Sequence, residues 1–167
     1  MAAKKSDSND GTTLTLPSNE EILITRAFDA PARFVFAALT KPEHIRRWWA
    51  PASRGEMLQC DVDFRVGGAW RYVMRVNAGF EIGFSGTFLE ITAPTRVVQT
   101  EIFDPFPDAP SVVTLELVEA NGVTTLTSRI RYPSQAVRDQ VIATGMEDGM
   151  RESYQQLTSV VQQLVVA

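Results

Sequence analysis

Few residues in this chain have the type and spacing to do chemistry, and the most informative of them is a carboxylate. Glu101 ends the run Arg96-Val97-Val98-Gln99-Thr100-Glu101, which follows the turn-forming segment Thr92-Ala93-Pro94-Thr95. If that segment loops between two antiparallel strands, Phe88 faces Gln99, Gly86 faces Glu101 and Phe84 faces Phe103. Glu101 then falls on an apolar inner face, opposite a glycine. A carboxylate there must be ion-paired, hydrogen-bonded or neutralised by a raised pKa. Such a group can anchor the polar end of a small molecule or act as a general base. Two structural readings stand beside these: a partner for an arginine, or a bulge that turns the side chain to solvent.

Other chemistries have little to work with. The one histidine, His44, follows Lys41-Pro42-Glu43 in a short helix and reads as a surface residue. The one cysteine, Cys60, can form no intrachain disulfide. With one His, one Cys and no paired carboxylates at ligand spacing, neither a metal site nor a Ser/Cys–His nucleophile is expected. No phosphate-cradling loop is present, since Gly67-Gly68 reads as a hairpin turn, and no cofactor is implied.

Around Glu101 the chain supplies a large aromatic surface. Trp48, Trp49, Trp70 and Tyr72 precede it, as do Met74, Phe84, Phe88 and Gln99, and Phe103 follows. From the C-terminal part come Met146, Gly149, Met150 and Ser153. Two readings apply to this set: ordinary core, or the mostly apolar walls of a ligand pocket with a few polar groups. Methionine suits both, because it fills irregular gaps and also lines adaptable binding surfaces.

The elements that position these residues are legible from periodicity. Glu20 to Phe28 alternates Ile22, Ile24 and Phe28 with polar neighbours, a strand with one face on a core. Asp29-Ala30-Pro31 offers an N-cap and an early proline for a helix carrying Phe34, Val35, Ala38 and Leu39. A second short helix is expected from Pro42 to about Trp48-Trp49. From Met57 to Tyr132 the chain reads as strands joined by tight turns, an antiparallel meander. A Val66-Gly67-Gly68 loop sets Phe64, Val62 and Cys60 against Trp70, Tyr72 and Met74. An Asn77-Ala78-Gly79 loop sets Tyr72 against Phe84 and Met74 against Ile82. A type I′ turn at Asn121-Gly122 sets Leu117 against Leu126 and Val113 against Ile130.

After Ser134, a plausible N-cap, the pattern Ile142, Met146, Gly149, Ser153, Leu157, Val160, Leu164 predicts one helix from about Gln135 to Leu164. At 1.5 Å per residue it would be roughly 45 Å long, enough to cross a concave sheet. Gly145 and Gly149 lie inside it, each at a cost of about 1 kcal/mol relative to alanine. Either they permit close helix–sheet packing, or Gly149 opens space for a ligand.

The chain has 167 residues, 44% hydrophobic and 22% charged, with a net charge of −4. Those values fit one globular domain and make nucleic acid or an anionic membrane an unlikely principal partner. The polar stretch Met1 to Pro17 reads as a flexible tail, leaving residues 18–167 as a single domain. With no apolar run of spanning length, membrane insertion is not expected, and a cytoplasmic location fits the cysteine usage. A homodimer stays open.

In the order and spacing of several motifs the chain resembles the START-like (SRPBCC) superfamily, in its branch named after the activator of the Hsp90 ATPase, the AHSA1-like proteins. The matching stretches include Ile24-Thr25-Arg26-Ala27-Phe28-Asp29-Ala30-Pro31, Thr40-Lys41-Pro42-Glu43-His44 into Trp48-Trp49-Ala50-Pro51, and Asp63-Phe64-Arg65-Val66-Gly67-Gly68 before Trp70. Further matches are Phe84-Ser85-Gly86, Arg96-Val97-Val98-Gln99-Thr100-Glu101 and Gly145-Met146-Glu147-Asp148-Gly149-Met150. Where many relatives carry Trp after the helix glycine, this chain has Met150. The resemblance implies an α+β helix-grip (START/Bet v 1-like) fold, a curved antiparallel sheet around a C-terminal helix with a cavity between them. Three functions follow as expectations: binding of a small hydrophobic or amphipathic molecule, a polyketide cyclase- or isomerase-type enzyme using Glu101, and a stress-related co-chaperone acting on Hsp90.

Overall fold

A computed structural model of the chain describes residues 10–167 together with the backbone of Ser6 and Asp7. Nine strands form one antiparallel sheet in these residues, in the order β1-β2-β3-β9-β8-β7-β6-β5-β4. They are β1 (Ser6–Asp7), β2 (Thr12–Thr15), β3 (Glu21–Phe28), β4 (Gly55–Val62), β5 (Ala69–Val76), β6 (Glu81–Thr92), β7 (Arg96–Phe103), β8 (Ser111–Ala120) and β9 (Val123–Arg131). Between β3 and β4 come α1 (Ala32–Thr40) and α2 (Pro42–Ile45), and after β9 come α3 (Gln135–Ala143) and α4 (Met146–Val166). Because β3 and β4 stand far apart in the sheet, α1 and α2 must carry the chain across its concave side. Together with α4 they cover that side. This is the α+β helix-grip arrangement.

Two hairpin registers follow the sequence expectation. Tyr72 pairs with Phe84 and Met74 with Ile82, while Leu117 pairs with Leu126 and Val113 with Ile130. At the second turn Asn121 and Gly122 both take positive φ, 54° and 78°, as a type I′ turn requires. The β4–β5 hairpin is different: Cys60 pairs with Tyr72 and Val62 with Trp70, two residues out of the expected register. The loop is longer than three residues, because Arg65 and Gly68 bond back within it, to the Asp63 and Arg65 carbonyls respectively. A shift of two keeps every side chain on its face, so the apolar surface survives the error.

Helix ends also depart from expectation. No side chain caps α1; its first N–H, at Ala32, donates instead to the Glu119 carboxylate on β8 at 2.6 Å. Helix α2 is one turn, continued by turns that reach Trp49. The expected single helix of about 45 Å is two. Gly145 adopts φ 81° and ends α3, whose last polar turn is closed by Thr144 donating to the Val141 carbonyl. Gly145 is therefore a terminator rather than an interior residue. Helix α4, with 21 residues, spans about 31 Å. It buries Arg151, Tyr154, Leu157, Val160 and Val161.

The expected flexible tail, Met1 to Pro17, is likewise corrected over its second half. Thr12 and Leu14 alternate inward on β2, pair with Arg26 and Ile24 of β3, and are buried. Residues 1–5, 8 and 9 lie outside the described part. Charge holds β2 in place. Asp10 accepts from Arg151 Nη1 and from the Thr12 N–H, both at 2.9 Å, and Arg151 also donates to the Thr12 carbonyl at 2.6 Å. Removing Asp10 strips a buried guanidinium of one acceptor, so Asp10→Ala is expected to cost about 2 kcal/mol. Urea unfolding of the full chain checks this; an unchanged midpoint would show that the ion pair adds nothing.

Candidate functional site

The site grows from the β6–β7 ladder. Phe84 pairs with Phe103 and Phe88 with Gln99, leaving Gly86 and Glu101 between them on the concave face. Toward the turn the register shifts by one at a bulge beside Leu89, which is half-exposed. The bulge compensates for a loop one residue shorter than expected, since Thr92 and Arg96 pair directly. Gly86 is required by contact. A Cβ there would lie 1.8 Å from the Thr100 carbonyl oxygen and 2.6 Å from the Trp70 indole nitrogen.

Glu101 sits at depth with no hydrogen bond or ion pair to its carboxylate among the described residues. Desolvation raises its pKa to about 7. Of the three fates open to such a group, the third applies. The neighbouring titratable groups are the phenols of Tyr72, Tyr132 and Tyr154, each perturbed by the Glu101 charge. Burial is the main cause of their own upward shifts, and it takes Tyr154 to about 12 against a lowering bond from Ser128. Glu101 nevertheless keeps some accessible surface, whereas the Trp70 N–H is fully sealed and unpartnered.

The aromatic residues separate into three groups. Trp49 meets Tyr72 at 5.3 Å and Phe84 at 5.2 Å, Trp70 meets Tyr72 at 4.7 Å, and Phe84 stacks on Phe103 at 4.9 Å. This continuous wall flanks Glu101. Trp48 belongs to the main core instead, donating to the Ala38 carbonyl at 2.8 Å and meeting Tyr154 edge-on. Phe88 packs with Phe64 at 5.2 Å in a smaller cluster with Trp70 and Val97. Met74 stands opposite Met57, toward the far end of β5.

Helix α4 closes the site from above. Ser153 donates to the Trp49 carbonyl at 3.0 Å, which sets the helix against the aromatic wall. Gly149 lies one turn earlier on the same face. No heavy atom outside its own turn lies within 4 Å of where its Cβ would be, so close helix–sheet packing does not explain it. Met146 and Met150 flank that gap and pack against the core only in part. Sequence reasoning passed over Tyr132, Tyr154 and Arg26. Tyr154 falls at helical spacing from Met150 and Leu157, and Arg26 occupies the inward position between Ile24 and Phe28, so the signal for both was periodicity.

A hollow of about 330 Å³ lies on the opposite, convex face beside Arg71 and Asp104. Its charges are exposed and already paired, with Arg71 Nη2 2.8 Å from Asp104. It is an open furrow and lacks the apolar walls of a ligand site. No group of three or more His, Cys, Asp or Glu among the described residues is placed to hold a metal ion, and no helix there is long and apolar enough to cross a membrane.

A curved sheet gripping a helix over an apolar, carboxyl-bearing interior defines a START-like domain. The chain belongs to the activator of Hsp90 ATPase homolog 1-like family, whose model matches residues 29–162. Among solved structures it is similar to a protein from Rhodobacter sphaeroides, at 26% identity and TM-score 0.83, over 91% of this chain and 99% of that one. Proteins from Nitrosomonas europaea (24% identity, TM-score 0.78, 91% and 100% covered) and Mycobacterium smegmatis (21%, 0.76, 94% and 94%) share the fold. No curated protein matches the chain.

The Glu101 shift has a signed consequence. The folded chain holds this proton to about pH 7, whereas the carboxyl's ordinary value is 4.5. Between those values the folded state binds more protons than the unfolded one, so stability falls as pH rises through the window and levels off above it. The loss is about 3 kcal/mol. Glu101→Gln removes the titration, so the variant should gain on the wild type in urea midpoint from pH 5 to pH 8. A difference independent of pH would place the carboxylate in water.

Proposed function

We propose that the chain binds a small hydrophobic or amphipathic molecule between α4 and the concave face, with Glu101 and Gln99 at its polar end. The observation that carries this reading is Glu101 itself, a deep but incompletely covered carboxyl with no hydrogen bond or ion pair among the described residues. An unsatisfied buried polar group costs stability unless something completes it, and a ligand can. The aromatic wall supplies apolar contact area. Met146 and Met150, flexible and polarizable, can repack around an occupant.

Gly149 provides the test. Because nothing occupies its Cβ direction, Gly149→Leu is expected to keep the fold and improve helix propensity by about 1 kcal/mol. Its side chain would also fill the space a ligand needs. Titration with the neutral probe N-phenyl-1-naphthylamine should give saturable fluorescence in the wild type, and at least about tenfold weaker binding in the variant, some 1.4 kcal/mol. Equal binding in both would remove α4 from the site.

A second reading is favoured by the value of about 7 for Glu101. A carboxyl near neutrality among phenols is suited to moving a proton, as a cyclase or isomerase requires. Under that reading Glu101→Gln abolishes turnover of a flexible polyketide-type substrate while the neutral probe still binds. Equal loss of turnover and binding would point back to a carrier.

A further inference from the structure

The interior carries several buried charges, and they are not treated alike. Arg26 donates from Nε to Thr158 Oγ1 at 3.0 Å and from Nη1 to the Asp10 carbonyl and Thr12 Oγ1 at 2.8 and 2.7 Å. Arg151 pairs with Asp10 and with Glu147, each at 2.9 Å. Arg138 pairs with Asp139 at 2.9 Å. Every buried cation among the described residues is therefore held. Glu101 is the opposite case. Its titratable neighbours are Tyr72 from β5, Tyr132 after β9 and Tyr154 from α4, none of which brings a positive charge. Ser111, its partner on β8, donates to its backbone carbonyl at 3.2 Å and leaves the carboxylate alone.

When Glu101 is ionised, the site is one positive charge short. The surfaces beside it are ring faces and edges of Trp49, Tyr72, Phe84 and Phe103, the kind of surface on which a cation is stabilised by the aromatic quadrupole. An anionic headgroup fits badly. It would face the Glu101 carboxylate, and the buried guanidinium of Arg26, which shares the neighbour Tyr154 with Glu101, is committed to three oxygens. A neutral hydroxyl would satisfy one hydrogen bond and leave the charge unmatched.

From this mismatch we infer that the molecule held against α4 carries a protonated amine or quaternary ammonium group that pairs with the Glu101 carboxylate and rests on the aromatic wall. The inference rests on the binding site described under Proposed function, and it names the chemistry of the ligand's polar end.

Three probes of equal chain length decide it: 1-octylamine, 1-octanol and octanoate, each displacing N-phenyl-1-naphthylamine from the wild-type chain at pH 8. A charge-assisted bond predicts that the protonated amine binds about tenfold or more tightly than the alcohol, with octanoate weakest. In Glu101→Gln the amine should lose its advantage and bind no more tightly than the alcohol. If the alcohol equals the amine in the wild type, or octanoate binds best, the ammonium inference is overturned while the apolar site stands. If the neutral probe itself fails to bind, both fall together. The wild-type ranking alone is decisive should the variant fold poorly.

Discussion

The cost of burying a carboxyl without a partner is the constraint from which the rest of this structure can be understood. Water would stabilise the ionised form of Glu101 by many kilocalories, and the interior offers nothing equivalent. The chain accepts a neutral carboxyl instead, at about pKa 7. That condition is imposed by the β6–β7 register, which turns position 101 inward, and by Gly86, whose missing side chain admits the Thr100 backbone and the Trp70 indole.

The remainder of the interior is organised by a contrasting rule. At the β2–β3 edge, two guanidiniums and the Asp10 carboxylate form a closed network that fastens the N-terminal strand to α4. There, both guanidiniums are hydrogen-bonded and serve to hold elements together. Near Glu101 the elements are held by apolar packing and by single bonds such as Ser153 to the Trp49 carbonyl. The polar end of the core is held by hydrogen bonds, and at the aromatic end no heavy atom outside its own turn lies within 4 Å of where a Gly149 side chain would begin. The fold alone leaves the function open.

The helix break sharpens the division of labour. Had Gly145 continued the helix, α3 and α4 would have been one rod lying across the sheet. The left-handed turn instead lets α4 start anew, with Met146, Gly149, Met150 and Ser153 directed over the aromatic wall while Tyr154, Leu157, Val160 and Val161 seal the main core. Gly145 and Gly149 thus look alike in sequence but act differently, one by its φ angle and the other by the absence of a side chain.

By itself the sequence determined the strand meander, the inward placement of Glu101 and the type I′ turn, because each depends on a period of two or on residues that alone tolerate positive φ. It also carried enough ordered motifs to identify the family. Tertiary structure decided the rest. The β4–β5 register slipped by two because face alternation cannot distinguish shifts of an even number. The polar stretch before Pro17 became a strand because Asp10 found Arg151, 141 residues away in the chain, a contact no local pattern encodes. Trp48 and Trp49, adjacent and chemically identical, went to the core and to the candidate site because a helical turn points neighbours about 100° apart. The raised pKa of Glu101 likewise arises only when β5, β7, the end of β9 and α4 converge on it and exclude water, since desolvation belongs to the assembled interior and to no segment of the chain.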